Sequence, residues 1–460
     1  MSGRGIGVCT YPGRAAHALV ESAETHMTDV RSAASAGDTR RAAGLRGALA
    51  EVSEDLGPGL VTGAADDDPS GIATYAQAGA QFGTALSWTL VLTYPLMSAV
   101  QLVSAEIGRV TGCGLTTSLR RLFPAEMVMG LVGLLFVANT INIGADLAAM
   151  GSSAALVTGL PAHALTILFA IVSLLLQVFL RYRVYARFLK WLTLSLFSYV
   201  ALLFTVTLDW RQIGLGLTAP WLTPSGALVT IVAVFGTTIS PYLFFWQSEQ
   251  EVEEIGAAAD RHPLKEDRAA TAREFARIGV DTWLGMALSN IVALAIMVGT
   301  AATLHVAGKT SIQTASDAAA ALAPIAGRFS SLLFALGVIG TGLLAVPVLA
   351  GSAAYAVAEL RGWRSSLDSR FRDAEGFYLI IITATLFGIA IDWSPLDPVH
   401  ALFLSAVLNG IVAVPLLIAM MWVAGDPDVM GGIALNRGLR IGGWITVLVM
   451  GAAVAGMVFL

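Results

Sequence analysis

The sequence predicts an all-α polytopic membrane protein: a 5+5 inverted repeat with helices 1 and 6 broken, plus an eleventh helix. Three observations predict it. The chain is 56% hydrophobic and only 13% charged, with a mean hydropathy of +0.73, whereas soluble domains carry about 25% charged residues. Apolar windows of membrane-spanning length recur from residue 57 onward. Two of those windows are interrupted by polar residues and a proline, the first at Asp66-Asp67-Asp68-Pro69-Ser70-Gly71 and the second at Thr237-Thr238-Ile239-Ser240-Pro241-Tyr242.

The spans fall near 57–80 (broken), 84–108, 125–152, 163–180, 190–208, 226–250 (broken), 279–304, 329–357, 374–391, 398–423 and 441–460. The 47 glycines suit close helix contact in lipid, where small residues let backbones approach. Residues 1–55, rich in Ala, Arg, Ser and Gly, read as a disordered cytosolic tail, and 56–460 as the transporter-like membrane domain. No secretory signal is evident in the tail.

Lys and Arg set the orientation. With a cytoplasmic N-terminus, 18 of the 27 basic residues fall in inside loops, including Arg109, Arg181, Arg187, Arg277, Arg361 and Arg437. Only Arg211, Lys309 and Arg328 fall outside, and the tail holds the remaining six. The positive-inside rule then places the C-terminus outside, in the inner (plasma) membrane. The two broken spans are five apart, so the second block of five runs opposite to the first, as in inverted-repeat transporters.

The breaks carry the chemistry. A carboxylate at a bilayer centre costs roughly 2.5–3.5 kcal/mol on insertion scales, so three in a row imply contact with water, cations or both. Proline removes a backbone donor and opens the helix, and the freed carbonyls of a helix C-terminus favour a cation. Asp68 adds a full charge, Thr237 and Thr238 offer carbonyls, and Ser240 a hydroxyl. An oxygen-only set suits hard ions such as Mg2+, Ca2+ and Mn2+. Small side chains at Ser70, Gly71 and Ser240 leave room for the waters that Mg2+ retains.

Other polar residues lie within spans. Asp146 is expected to be paired in, or part of, an aqueous pathway. Glu106 is expected to pair with Arg109 at the surface. Asn139, Asn142 and Asn290 read as interhelical hydrogen bonds, with Asn409 kept open as a pathway residue. Glu249, Glu251, Glu253 and Glu254 read as a solvated face at the inner end of span six, the alternative being a cation-attracting inner mouth.

The net charge of −5 gives no basic footprint for nucleic acid. Cys9 and Cys113 lack metal-ligand spacing. No resident cofactor and no obligate protein partner are expected; the partners are a divalent ion, as cargo, and the lipid bilayer. An intramembrane aspartyl protease would need two facing aspartates that share a proton, and the Gly-Asp context expected of such enzymes is absent.

Gly57-Pro58-Gly59, Asp68-Pro69, Ala73-Thr74 and Gln81-Phe82-Gly83 together resemble the first helix of Nramp divalent-metal transporters. The resemblance extends over about residues 56–460 and implies the LeuT-type fold, with the ion held between helices 1 and 6. Family members carry Asp-Pro-Gly-Asn in helix 1 and Met-Pro-His in helix 6. Here the aspartate is Asp68, the ligand asparagine falls on Gly71, the thioether on Ser240 and the carbonyl ligand on Thr237. The helix-6 histidines fall on Tyr242 and Gln247. The helix-3 glutamate falls on Ala149, beside Asp146, which matches the family aspartate.

Loss of the methionine removes a soft donor, and loss of the titrating side chains removes most of a proton relay. The pattern looks like the Nramp-related magnesium transporters. The metal set implied is Asp68, Gly71, Thr237 and Ser240, with Asp67, Ser70, Tyr242, Asp146, Gln247 and Asn409 along the pathway. Expected cargo is Mg2+, and also Mn2+, taken up without proton coupling. The alternatives are a proton-coupled Mn2+ or Fe2+ importer and a Na+-coupled organic-solute carrier.

Overall fold

A computed structural model describes residues 62, 63, 65–180, 194–257, 261–367 and 369–459. The expected tail, and the inside loop with Arg181, Arg183, Arg187 and Lys190, lie outside the described residues. Among the described residues the chain is helical throughout, and nine helices are long and apolar enough to cross a membrane. Expected spans one and five are described only in part: Thr62, Gly63, Ala65 and Asp66 are helical before the first break, and span five is visible from Leu194 to Leu202.

Helix 1 resumes after its break as α1 (Pro69–Phe82), with Pro69 at its first position, where a missing N–H costs nothing. It stops at Gly83, which takes φ 60°. α2 (Ser87–Thr111) is 25 residues long, about 37 Å at 1.5 Å per residue, enough to cross a bilayer core. It ends at Gly112 in the left-handed conformation. The short amphipathic α3 (Leu115–Leu122) carries Arg120 and Arg121 in its last turn. α4 (Ala125–Thr158) and α5 (Ala162–Phe179) follow.

α6 (Phe197–Leu202) closes the first half, and α7 (Trp210–Thr218) lies in the connection to the second. Helix 6 is split into α8 (Leu228–Thr238) and α9 (Pro241–Ala257). α10 (Thr271–Thr300) runs into a π turn at Ala301–His305. α11 (Ala315–Ala320) leads to α12 (Ser330–Arg361), α13 (Glu375–Ile389), α14 (Pro398–Gly425) and α15 (Arg437–Phe459).

The two broken helices sit inside a ring of continuous ones. α4 packs along α12 and α14, α8 along α14, α9 along α2, and α1 along α10. Glycines permit the closest crossings. A Cβ at Gly236 would collide with the backbone of Ala406 and Gly410, which seats α8 on α14. A Cβ at Gly63 would strike the Gly285 backbone, and one at Gly79 would strike Met297 and Thr300. Helix 1 thus lies backbone-to-backbone on α10 on both sides of its break. His305 Nδ1, 2.9 Å from the Ala80 carbonyl oxygen, adds a polar tie near the end of α1.

Two expectations about charge are corrected at the opposite end of the bundle. Arg109 does not pair with Glu106 at the surface. It is buried and meets Glu274 of α10 at 3.0 Å, because the end of α2 is covered by α10 and α9. Glu106 is itself buried, and its Oε2 has no hydrogen-bond partner.

The glutamates after helix 6 are not a solvated face either. Glu249 and Glu251 are buried. Arg277 pairs with Glu251 at 2.9 Å, Glu254 at 3.2 Å and Glu274 at 3.3 Å, while Arg261 reaches Glu254 at 2.8 Å. Glu253 accepts from the Tyr355 hydroxyl and from the Leu367 amide. The apolar stem of α9 carries this acidic stretch into the packed bundle, where arginines and backbone amides replace water as partners.

Candidate functional site

The first break opens at Asp67 and Asp68, between helical Asp66 and Pro69. Asp68 caps α1. Its Oδ1 accepts from the Gly71 amide at 2.7 Å and the Ser70 hydroxyl at 2.6 Å. Its Oδ2 accepts from the Asn142 amide of α4 at 3.0 Å and lies 3.5 Å from the Tyr242 hydroxyl of α9. The carboxylate, 1% exposed, therefore has three donors, Gly71, Ser70 and Asn142, with the Tyr242 hydroxyl at the edge of hydrogen-bond distance.

The second break faces the first. α8 ends at Ile239 (φ −117°, ψ 56°), and α9 begins at Pro241. A Cβ on Gly71 would stand 3.1 Å from Thr237 Oγ1, so any larger residue there would fill the gap between the breaks. Thr237 Oγ1 is buried and has no hydrogen-bond partner. Ser240 Oγ lies 2.8 Å from the carbonyl oxygens of both Gly236 and Thr237. Its one proton is held by α8, which leaves its oxygen lone pairs as an acceptor. The Tyr242 hydroxyl donates to the Ala65 carbonyl at 3.2 Å, tying α9 to the part of helix 1 before its break.

Asp68 thereby gathers Ser70, Gly71 and Tyr242, and Gly71 lies against Thr237, to whose carbonyl Ser240 is bonded. The remaining sequence-derived residues are distributed around it. Gln247 sits farther along α9 and accepts from Thr62 at 2.5 Å. Asp146 and Asn409 are fully buried, with side-chain polar atoms that have no hydrogen-bond partner. Asp67 does not face the Asp68 cradle. It and Asp66 point to α10, where Ser289 Oγ lies 3.0 Å from Asp67 and 2.7 Å from Asp66.

Asn142 is the residue that sequence reasoning underrated. It holds Asp68, and its own carbonyl oxygen accepts from Ser405 of α14 at 2.6 Å. A signal was present: Asn139, Asn142 and Asp146 recur at helical spacing on an otherwise apolar α4, a stripe that marks an inward face. Asn139 does make the interhelical bond expected of it, to the Leu349 carbonyl and the Ser352 hydroxyl of α12.

Residues 59–460 match the family profile described as natural resistance-associated macrophage protein-like, Nramp. The chain belongs to the Nramp family. It is 27% identical over 404 residues to the divalent metal cation transporter MntH of Pectobacterium carotovorum subsp. carotovorum, covering 86% of this chain and 92% of that protein. The MntH of Klebsiella pneumoniae is likewise 27% identical, with 86% and 91% covered.

Among solved structures, the fold is similar to the Eremococcus coleocola manganese transporter, with TM-score 0.71 at 17% identity and 93% and 89% of the two chains covered. It is also similar to Mhp1, a nucleobase-cation-symport-1 family transporter, with TM-score 0.55 at 13% identity and 87% and 92% covered. This Nramp chain is accordingly a multi-pass membrane transporter with the LeuT-type fold, and not an enzyme.

Among its described residues, no group of three or more His, Cys, Asp or Glu side chains is arranged to hold a metal.

Proposed function

We propose that this Nramp-family divalent-metal transporter carries Mg2+, and also Mn2+, inward across the inner membrane without proton coupling. Its N-terminus is cytoplasmic and its C-terminus outside. The observation that carries the reading is the donor chemistry where the two breaks meet. Asp68, Thr237, Ser240 and Tyr242 present oxygen, Gly71 presents no side chain, and neither sulfur nor imidazole is among them. Oxygen ligands favour hard ions, and the space beside a glycine favours an ion that keeps part of its water. Tyr242 and Gln247 stand where a proton relay would need groups that titrate near neutral pH. An inside-negative potential contributes about 2.3 kcal/mol per charge per 100 mV and so draws a dication in unaided.

The test is uptake by proteoliposomes offered Mg2+, Mn2+, Ca2+ or Cd2+, with a pH dye in the lumen and the membrane potential clamped. Uptake of Mg2+ and Mn2+ with an unchanged lumenal pH is expected. Acidification in proportion to metal flux would replace this reading with a proton-coupled importer.

A further inference from the structure

The three aspartates of the first break do not act on one ion position. Asp68 turns toward α4 and α9, where Asn142 and Tyr242 lie. Asp66 and Asp67 turn the other way, to Ser289 of α10. Ser289 has a single hydroxyl proton, so it can satisfy only one of these two carboxylates at a time.

Asp66 is 0% exposed, and its Oδ1 is buried without any hydrogen-bond partner. No described lysine or arginine forms an ion pair with either aspartate. Beside Asp67 is a small cavity of about 40 Å³, walled by Gly63, Leu196, Phe197, Leu288 and Val292, into which Asp67 and Ser289 bring the only polar side chains among the described residues. Two buried carboxylates with one shared donor and no counter-charge are costly, and a cation-sized cavity adjoins them.

We infer that Asp66, Asp67 and Ser289 form a second divalent-cation position, a way-station separate from the Asp68 cradle. It rests on the reading that Asp68 holds the cargo. Its ligands are hard oxygens: two carboxylates, one hydroxyl and water in the cavity. It precedes Asp68 along helix 1 and so lies on the cytoplasmic side of the cradle in the proposed orientation. Two dications so close together repel strongly, so the positions are filled in turn, the ion passing from Asp68 to the Asp66–Asp67 pair on its way in.

The test is Mn2+ binding to the purified full chain by equilibrium dialysis, with thermal melting as a folding control. Asp68→Ala is expected to weaken binding at least tenfold and yet leave a measurable residual site. Adding Asp67→Asn to Asp68→Ala is expected to abolish that residue of binding, and adding Ser289→Ala to weaken it severalfold. Ser289→Ala serves if the asparagine variant misfolds.

Complete loss of binding in Asp68→Ala would overturn the second position and leave the central one standing. So would residual binding indifferent to both Asp67→Asn and Ser289→Ala. Unchanged affinity in Asp68→Ala would instead show that the central reading has failed.

Discussion

Asn142 fixes Asp68 from a neighbouring helix: its amide reaches Asp68 Oδ2 at 3.0 Å while its carbonyl oxygen takes the Ser405 hydroxyl at 2.6 Å. One side chain thereby joins α4, helix 1 and α14 at the candidate site. Residues that orient a ligand typically change metal affinity about 10–100-fold when removed. Asn142→Ala is expected to weaken Mn2+ binding by about that factor with a near-normal melting profile. Calorimetric affinity equal to wild type would show that Asp68 is held well enough by Ser70 and Gly71 alone.

Asp68→Ala removes the only carboxylate in the cradle. Neutral dipoles then face a doubly charged ion. Transport of Mg2+ and Mn2+ is expected to fall to the level of empty liposomes, with the protein still monodisperse after purification. Wild-type uptake rates in the variant would place the cargo site elsewhere.

Ser240→Met introduces a thioether beside Thr237 and takes up volume otherwise open to metal-bound water. Mg2+ uptake is expected to fall more than Cd2+ uptake, inverting their order in competition assays. Equal losses for the two ions would show that position 240 does not touch the cargo.

Glu274→Gln breaks the buried pair with Arg109 and one of the contacts of Arg277. Removing one partner of a buried ion pair costs about 3–5 kcal/mol, because the other charge is stranded. A clear drop in melting temperature is expected, and the double change Arg109→Met with Glu274→Met should recover much of it. An unshifted melt in the single variant would show that water reaches this end of the bundle.

The fold was legible because its signals are one-dimensional. Apolar runs, Pro241 and Pro69, and the spacing of the two breaks need no partner to be read. The neighbourhood of the two breaks was legible as far as the broken helices supply it: Gly71 bonds Asp68 and lies against Thr237, which Ser240 bonds in turn.

Residues whose role depends on a distant helix were harder to read. Nothing local distinguishes Asn142, which serves Asp68, from Asn139, which serves α12. Arg109 sits three residues after Glu106 on the same helix, a spacing that suggests a pair, yet its partner Glu274 lies far along the chain. The directions of Asp66 and Asp67, away from Asp68, are set by the helix break itself and could not be read from three identical letters.

A helix cut in the middle has no continuous ladder to keep its halves in line. Here alignment is supplied from outside, by α10, which meets helix 1 at Gly63 against Gly285 and at Gly79 against Met297 and Thr300. α10 works as a splint on a fracture, although it makes no hydrogen bond to Asp68. The gap between the two breaks is therefore dimensioned by a length of regular helix next door. A residue inserted into α10 between Gly285 and Met297 would misalign the two halves of helix 1 without altering a single ligand.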